Sequence, residues 1–326
     1  MSDLLKFVPP EDFRLLFAAR HVLEDQSNAP ATSGQYPRYH QEARDALTAI
    51  VGSITVTNTE VGIEDLIDGS DYVFSLMNRV KMNNGEVFVS TLCEYAGVPY
   101  LGASPAIRAL AEDKHLAKHL VRSLGVPTSP SIVSSSCLNV PNEPPFDGPF
   151  FVKPRLGAAS EKVSQSSRQT TWEGARAQAV TLHTDGLGAL IEQFAPGKNV
   201  TVPVIGNAEP MVFEPVVLHG SGPFQIITQD NKLQTGADMS FEMLDDADLV
   251  SELKAAALKI YREICPLDYG RFDFRVDDEL GSFQFLEVNI CCDISSFGSL
   301  MFSLGKAGIS QEALISHVLA YSYLRQ

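Results

Sequence analysis

The sequence predicts an α/β protein of two or three packed domains, and three observations carry that expectation. At 326 residues the chain exceeds what one ordinary hydrophobic core holds. Along the N-terminal third, short apolar runs and helical patterns alternate, as a parallel sheet with crossover helices requires. Near the other end, Gly270–Asp293 (GRFDFRVDDELGSFQFLEVNICCD) reads as two antiparallel strands joined by a turn.

Composition narrows the class. Apolar residues make up 44% and charged residues 20%, ordinary for a soluble globular protein. A net charge of −15 argues against a nucleic-acid backbone or an anionic membrane as the main partner. It leaves room for a phosphorylated ligand, because a local cluster of Lys and Arg can bind one inside an acidic protein. Cys93, Cys137, Cys265, Cys291 and Cys292 are scattered and match no zinc or disulfide spacing. A reducing cytoplasm is expected. The start, MSDLLKFVPPEDF, has no long apolar core, so no signal peptide is expected. No apolar run approaches the ~18 residues of a membrane span.

The elements follow in order. Phe13–Ala19 (FRLLFAA) suits a strand or a short helix. Asn28–Tyr39, rich in Pro, Ser, Gly and Tyr, reads as a loop. Gln41–Val51 has helical periodicity, and Asp71–Leu76 (DYVFSL) reads as a buried strand. Glu86–Ala96 is a helix stopped by Gly97 and Pro99, and Val98–Leu101 a short strand ending at Gly102. Asp113–Ser123 (DKHLAKHLVRS) is a basic amphipathic helix ended by Gly125 and Pro127. Phe150–Pro154 (FFVKP) is a strand with one inward cation, Lys153, which needs a partner if buried. Gly157, Ala158, Ala159 and Ser160 then make a small-residue loop of the kind that lets backbone N–H groups approach phosphate. Trp172 opens a helix and reads as packing. Ala189–Phe194 and Pro210–Leu218 are strands, and Phe224–Met239 an exposed loop. Asp248–Ile264 places Leu249, Leu253, Ala256, Ala257 and Ile260 on one helical side, and Gln311–Leu324 is a closing helix.

The hairpin carries the chemistry. If Asp277 pairs with Phe283 across a five-residue loop, Asp273 faces Glu287 and Arg271 faces Asn289. Side chains alternate along a strand, so these four share one face, with opposed Cβ atoms roughly 4.5–5.5 Å apart. Facing carboxylates repel and tolerate each other best with a cation between them. Two carboxylates and an amide oxygen form a hard-oxygen set suited to Mg²⁺, completed by substrate phosphates. The plainer reading is a surface hairpin with solvated charges.

The pattern R-x-D, a hairpin, then L-E-V-N resembles the magnesium-binding end of the ATP-grasp superfamily, and within it the D-alanine–D-alanine ligases. From Phe74 onward further segments match, among them FSLMNR, NNGEVFVSTLCEYAGVPYLGAS, D-K-x-x-x-K and VKP. The resemblance implies a three-domain α/β ATP-grasp architecture divided near residues 1–103, 104–190 and 191–326, with nucleotide held between the central and C-terminal domains. It places the metal ligands on Asp273, Glu287 and Asn289, and the arginine that serves phosphate and the tetrahedral intermediate on Arg271. It places the ATP-binding lysines on Lys114 and Lys153, and the phosphate lid on Gly157 to Ser160. The adenine lining falls on Glu192, with Gln193 and Phe194 acting through their backbone. Asn199 stands where a ribose-binding glutamate is usual, and Lys232 where a mobile loop supplies a lysine to the γ-phosphate. For Lys118 and Lys232 a solvated lysine is the plainer reading, and Glu192 reads equally as a strand-end charge. The resemblance implies ATP with Mg²⁺ (or Mn²⁺), an acyl-phosphate route to a peptide or amide bond, and a homodimer formed through the N-terminal domain.

The departures fall on the substrate side. The family's Gly-Gly loop, whose glutamate binds the first substrate's amino group, has no counterpart, and Asn78 replaces a usual histidine. After Asn289 the family continues T-x-P-G-x-T-x-x-S, whereas this chain has Ile290-Cys291-Cys292-Asp293-Ile294-Ser295-Ser296-Phe297-Gly298. Asp293 replaces the glycine of the oxyanion hole and could instead bind an amino group or hydroxyl. The serine that holds the incoming carboxylate aligns to Gly298 or Ser299, with Ser295 and Ser296 as substitutes. Cys291 and Cys292 read as packed small residues. The expectation is a ligase with retained chemistry and altered substrates, joining amino acids or an amino acid and a natural-product carboxylate such as a mycosporine core. The alternatives are an authentic D-alanine–D-alanine ligase and a silent ATP-binding module. Small-molecule carboxylates and amines are the expected partners.

Overall fold

Three sheets follow one another along the chain. The computed structural model describes residues 4–23, 33–136, 140–228 and 240–326. The first sheet is parallel, with β1 (Leu15–Ala18) between β2 (Ile54–Thr57) and β3 (Tyr72–Ser75). β1 and β3 are buried at every position, as strands covered on both faces must be. Its helices are α1 (Tyr36–Val51), α2 (Ile63–Asp68) and α3 (Phe88–Ala96). α1 starts before the expected Gln41 because Pro37 sits in its first turn, where a missing N–H costs nothing. A 3₁₀ turn, Gly85–Val87, takes the place of the expected first turn of α3. The expected strand at Val98–Leu101 reduces to an isolated bridge between Tyr100 and Val73. β2 and α2 were not anticipated: β2 is a half-exposed ITVT edge, and α2 spans six residues between two glycines.

The central sheet is antiparallel. It contains β4 (Ser131–Ser134), β5 (Phe150–Pro154), β6 (Arg168–Gln169) and β7 (Ala189–Gln193) in the order β4-β7-β5-β6. Two capped helices precede it. Ser104 Oγ accepts from Ile107 N to start α4 (Pro105–Glu112), and Asp113 accepts from His115 N and Leu116 N to start α5 (Lys114–Ser123). α6 (Trp172–Thr184) covers the sheet. Trp172 is 5.1 Å from Phe150, ring centre to ring centre, in a core that belongs to this unit alone.

The third sheet holds β8 (Lys198–Ile205), β9 (Met211–Val212), β10 (Val216–Leu218), β11 (Phe241–Met243), β12 (Tyr269–Asp277) and β13 (Ser282–Ile290). Its order is β11-β10-β8-β12-β13, with β9 paired to β8. The expected strand Pro210–Leu218 is therefore two, parted around Pro215, which has no N–H for a ladder. α7 (Ala247–Ile264), α8 (Ser299–Lys306) and α9 (Gln311–Arg325) complete the unit.

One core runs through the first and third units, joining Phe17, Leu47 and Leu101 to Leu253, Phe272 and Leu319. α9 closes it against the first sheet: Tyr72 Oη donates to Ser322 Oγ at 2.8 Å. Arg325 Nε donates to Asp268 Oδ1 at 2.7 Å, and its Nη2 to Gly102 O at 2.6 Å. Asp268 is fully buried; burial raises its carboxyl pKa, and Arg325 opposes that rise. Arg325→Ala leaves this carboxylate unpaired, so urea denaturation at neutral pH is expected to show a loss of about 3–5 kcal/mol. Adding Asp268→Asn should return part of it, and unchanged stability in the single variant would refute the account.

Candidate active site

β12 and β13 bring Asp273 opposite Glu287 and Arg271 opposite Asn289. The register is reached differently from the expectation. Asp277 pairs with Ser282, so the loop is one residue shorter, closed through Gly281 in the left-handed region. A bulge then leaves Leu286 extra, since Phe274 faces Phe285 while Asp273 faces Glu287. The two differences cancel at the carboxylates. Thr201 Oγ1 donates to Asp273 Oδ1 at 2.6 Å, and Asn289 Nδ2 to Oδ2 at 2.8 Å. Arg271 lies 3.5 Å from Asp273 and donates to Ser299 Oγ at 3.3 Å. Burial would lower the Arg271 pKa, but Asp273 and more distant anions outweigh it and hold the guanidinium charged.

Lys114 enters from α5, with its ammonium 4.0 Å from Glu287 and bonded to Gly157 O. Burial lowers its pKa, and Glu287 offsets part of that. Behind it sits a triad. Glu192 on β7 lies 2.8 Å from both Lys153 of β5 and Lys118 of α5. Lys118 is not solvated, in correction of the sequence reading. It is 0% exposed and donates to Thr128 Oγ1 at 2.8 Å. Burial would raise the Glu192 carboxyl, yet the two lysines hold it at about 2. The available signal was spacing: Lys114 and Lys118 are four apart and share a helix face.

A cavity of about 810 Å³ joins these groups to the rest, within the range of small-molecule sites. Gly157, Ala158, Ala159 and Ser160 line it, and Ala159 and Ser160 hold left-handed backbone at φ 54° and 58°. Such strain costs about 1–3 kcal/mol per residue and gathers at ligand clamps. Glu192, Phe194 and Asn199 line the far end, whereas Gln193 does not. The N–H groups of Gln193 and Phe194 donate to Pro130 O and Pro149 O, which takes both out of reach of a base. The Asn199 amide is spent inside the sheet, on Leu218 O, Gln225 O and Arg275. Lys232 lies outside the described residues.

On the substrate side, Asn78 and Asp293 line the cavity. Asn78 Nδ2 donates to Cys291 O at 3.2 Å, and Asp293 accepts from Ser295 N at 2.7 Å. Ser295 is fully buried, and Ser296 donates through N and Oγ to Glu42, so neither faces the cavity. Tyr39 and Tyr269, which sequence reasoning missed, both donate to Cys292 O. Burial pushes the Cys291 and Cys292 thiols up to about 11 and about 12, which suits packing and not reactivity. Among the described residues no three His, Cys, Asp or Glu side chains cluster as a metal site. Two carboxylates and the Asn289 amide still fit Mg²⁺, which takes one or two carboxylates and fills its octahedron with water and substrate phosphates. No described helix is long and apolar enough to cross a membrane.

Residues 134–320, more than half of the chain, match the family model described as D-ala D-ala ligase C-terminus. The chain is 26% identical over 301 residues to a D-alanine–D-alanine ligase of Chlorobium limicola, covering 85% of this chain and 80% of the relative. Its structure is similar to that of D-alanine–D-alanine ligase from Bacillus anthracis complexed with ATP, with a TM-score of 0.73, 17% identity and coverage of 96% and 98% of the two chains. It is also similar to VanG D-Ala:D-Ser ligase from Enterococcus faecalis, with a TM-score of 0.67, 16% identity and coverage of 95% and 99%.

The triad makes stability depend on acid. Glu192 has a folded pKa of about 2 against the usual 4.5. Its contribution is therefore complete above pH 4.5 and is lost as pH falls towards 2. Glu192→Gln leaves two buried ammonium groups, and chemical denaturation at pH 7 is expected to show a loss of about 3–5 kcal/mol. The variant's stability should also fall less steeply with acid than that of the parent; parallel curves would sink the triad's role.

Proposed function

The chain belongs to the D-ala D-ala ligase C-terminus family and has the ATP-grasp fold, and on that premise we propose that it is an ATP-dependent ligase joining a carboxylate to an amine. The observation that carries the reading is Asp273 facing Glu287, with Asn289 beside them and Lys114 within 4.0 Å. A nucleotide between the central and third sheets would place its phosphates among Lys114, Lys153 and the Gly157–Ser160 loop. These cations offset phosphate charge. Asp273, Glu287 and Asn289 would hold Mg²⁺, whose bound charge neutralises phosphate oxygens. Thr201 and Asn289 fix the Asp273 carboxylate for that task.

In the first step an oxygen of the substrate carboxylate attacks the γ-phosphorus. The bond to the β–γ bridging oxygen breaks, ADP leaves and an acyl phosphate forms. In the second step the amine nitrogen attacks the acyl carbon, the C–O bond to phosphate breaks, and the nitrogen gives up a proton that leaves with the phosphate. Arg271, charged and aimed by Asp273 and Ser299, stabilises the oxyanion between those events. The strained loop at Ala159 and Ser160 keeps water from the acyl phosphate.

The substrates are specialised on this reading. Asp293 on the cavity wall, Asn78 in place of histidine and the missing Gly-Gly loop support it. An amino acid joined to a second amino acid or to a natural-product acid, of which a mycosporine core is one candidate, fits these changes. The second reading, D-alanine dimerisation, is favoured by the similarity to a protein with that name.

Phosphate release from Mg·ATP, with D- and L-amino acids singly and in pairs and mass spectrometry of products, distinguishes the readings. Asp273→Ala and Glu287→Ala are each expected to lower turnover at least ~100-fold. Full activity in either would overturn the metal assignment.

A further inference from the structure

We propose that the acid activated here is a dicarboxylic acid, and that Arg79 receives the carboxylate that is not phosphorylated. The inference rests on the ligase reading and adds the class of the first substrate. The first unit's wall of the cavity includes Arg20, His21, Tyr36, His40, Asn78 and Arg79. Its charge is concentrated at Arg79. Arg20 is occupied elsewhere: it pairs with Glu60 at 2.9 Å and donates to Arg79 O at 3.0 Å, so it anchors the Arg79 backbone. Burial, with His21 nearby, lowers the His40 pKa to about 3 and keeps that ring neutral.

Arg79 is also held in place relative to the reaction centre. The neighbouring Asn78 donates to Cys291 O at 3.2 Å, just past Asn289 on the strand that carries Glu287. The Arg79 guanidinium lies 5.8 Å from the Tyr36 ring centre and 3.4 Å from its hydroxyl, so an aromatic face orients the fork. Among the described residues no carboxylate lies within 4.0 Å of Arg79. A planar cation on a cavity wall, with its backbone fixed and its fork directed by a ring, suits bidentate capture of a carboxylate.

The same wall is poorly suited to an ammonium group. Of the described residues that the first unit contributes to the cavity, Glu86 is the one carboxylate. It sits 4.0 Å from Arg108, and burial raises its pKa to about 7. An α-amino group placed here would meet Arg79 and an acid already facing Arg108. A second carboxylate would meet a partner. Arg79 on the wall and the Glu86–Arg108 contact thus point to the same substrate change.

The test is steady-state ADP formation with Mg·ATP and a mixture of amino acid amides, which carry an amine and no α-carboxylate. The acids compared are acetate, propionate, D- and L-alanine, the C4 to C6 dicarboxylates, and D- and L-aspartate and glutamate. The expected result is a preference for a dicarboxylate. Arg79→Ala should then raise the KM for that acid by ~10–100-fold, the worth of a hydrogen bond to a charged group. The KM for ATP should stay the same, and Arg79→Lys should recover part of the loss. If alanine or a monoacid serves as well as any dicarboxylate, or if Arg79→Ala leaves the acid's KM unchanged, the inference is overturned and the ligase reading stands. If no acid yields ADP although ATP binds, the ligase reading falls and takes the inference with it.

Discussion

Two carboxylates on neighbouring strands repel, and the rest of the site serves to hold Asp273 and Glu287 together. Backbone pairing does the main work, because the β12–β13 ladder fixes the facing residues whatever their charge. Thr201, Asn289 and Arg271 then absorb the Asp273 charge, and Lys114 stands near that of Glu287. Most of these groups point at the same small volume. Arg271 is held charged by the anions around it, Asp273 first. β12 also pairs with β8 on its other edge, which fixes the carrier strand of Arg271 and Asp273 from both sides.

A similar economy governs the lysines. A buried ammonium is expensive, and two near each other are more so. Glu192 makes the arrangement tolerable by lying 2.8 Å from each. Lys153 is then available at the cavity wall, while Lys118 stays fully enclosed. Lys118 therefore bears on the cavity through Glu192, which also holds Lys153. Arg275 shows the same logic at the far end of the cavity, where it gathers the carbonyls of Ala195, Phe224 and Gln225 with the Asn199 amide.

The hairpin was legible because a period of two leaves few registers, and a family pattern lay on it. The pairing at the carboxylates survived two offsetting differences, a shorter turn and a bulge at Leu286, and neither leaves a strong mark in the residue pattern. Lys118 was misread because a lysine on an amphipathic helix is ordinarily solvated; its burial depends on Glu192, which is distant in sequence. β2 and α2 escaped notice because ITVT is an edge strand and α2 is less than two turns long. Asn199 was assigned a ligand by position, but tertiary packing spent its amide on backbone groups. Apart from Asn78, the Arg79 wall was not legible in the sequence because its parts come from β1's end, α1 and the turn after β3, which only the fold assembles.

The shared core has a consequence for how the chain is made. The first sheet is sealed by α9, and Tyr72 meets Ser322 across a separation of 250 residues. Ribosomes add about 5–20 residues per second, so the apolar face of that sheet waits roughly 10–50 s for its cover. During that interval it is a surface for chaperones or for aggregation. The central unit has no such wait, since Phe150, Trp172 and Ile191 close a core from neighbouring segments. Vectorial synthesis thus gives this protein an inverted order of maturation, in which the middle is finished before the beginning.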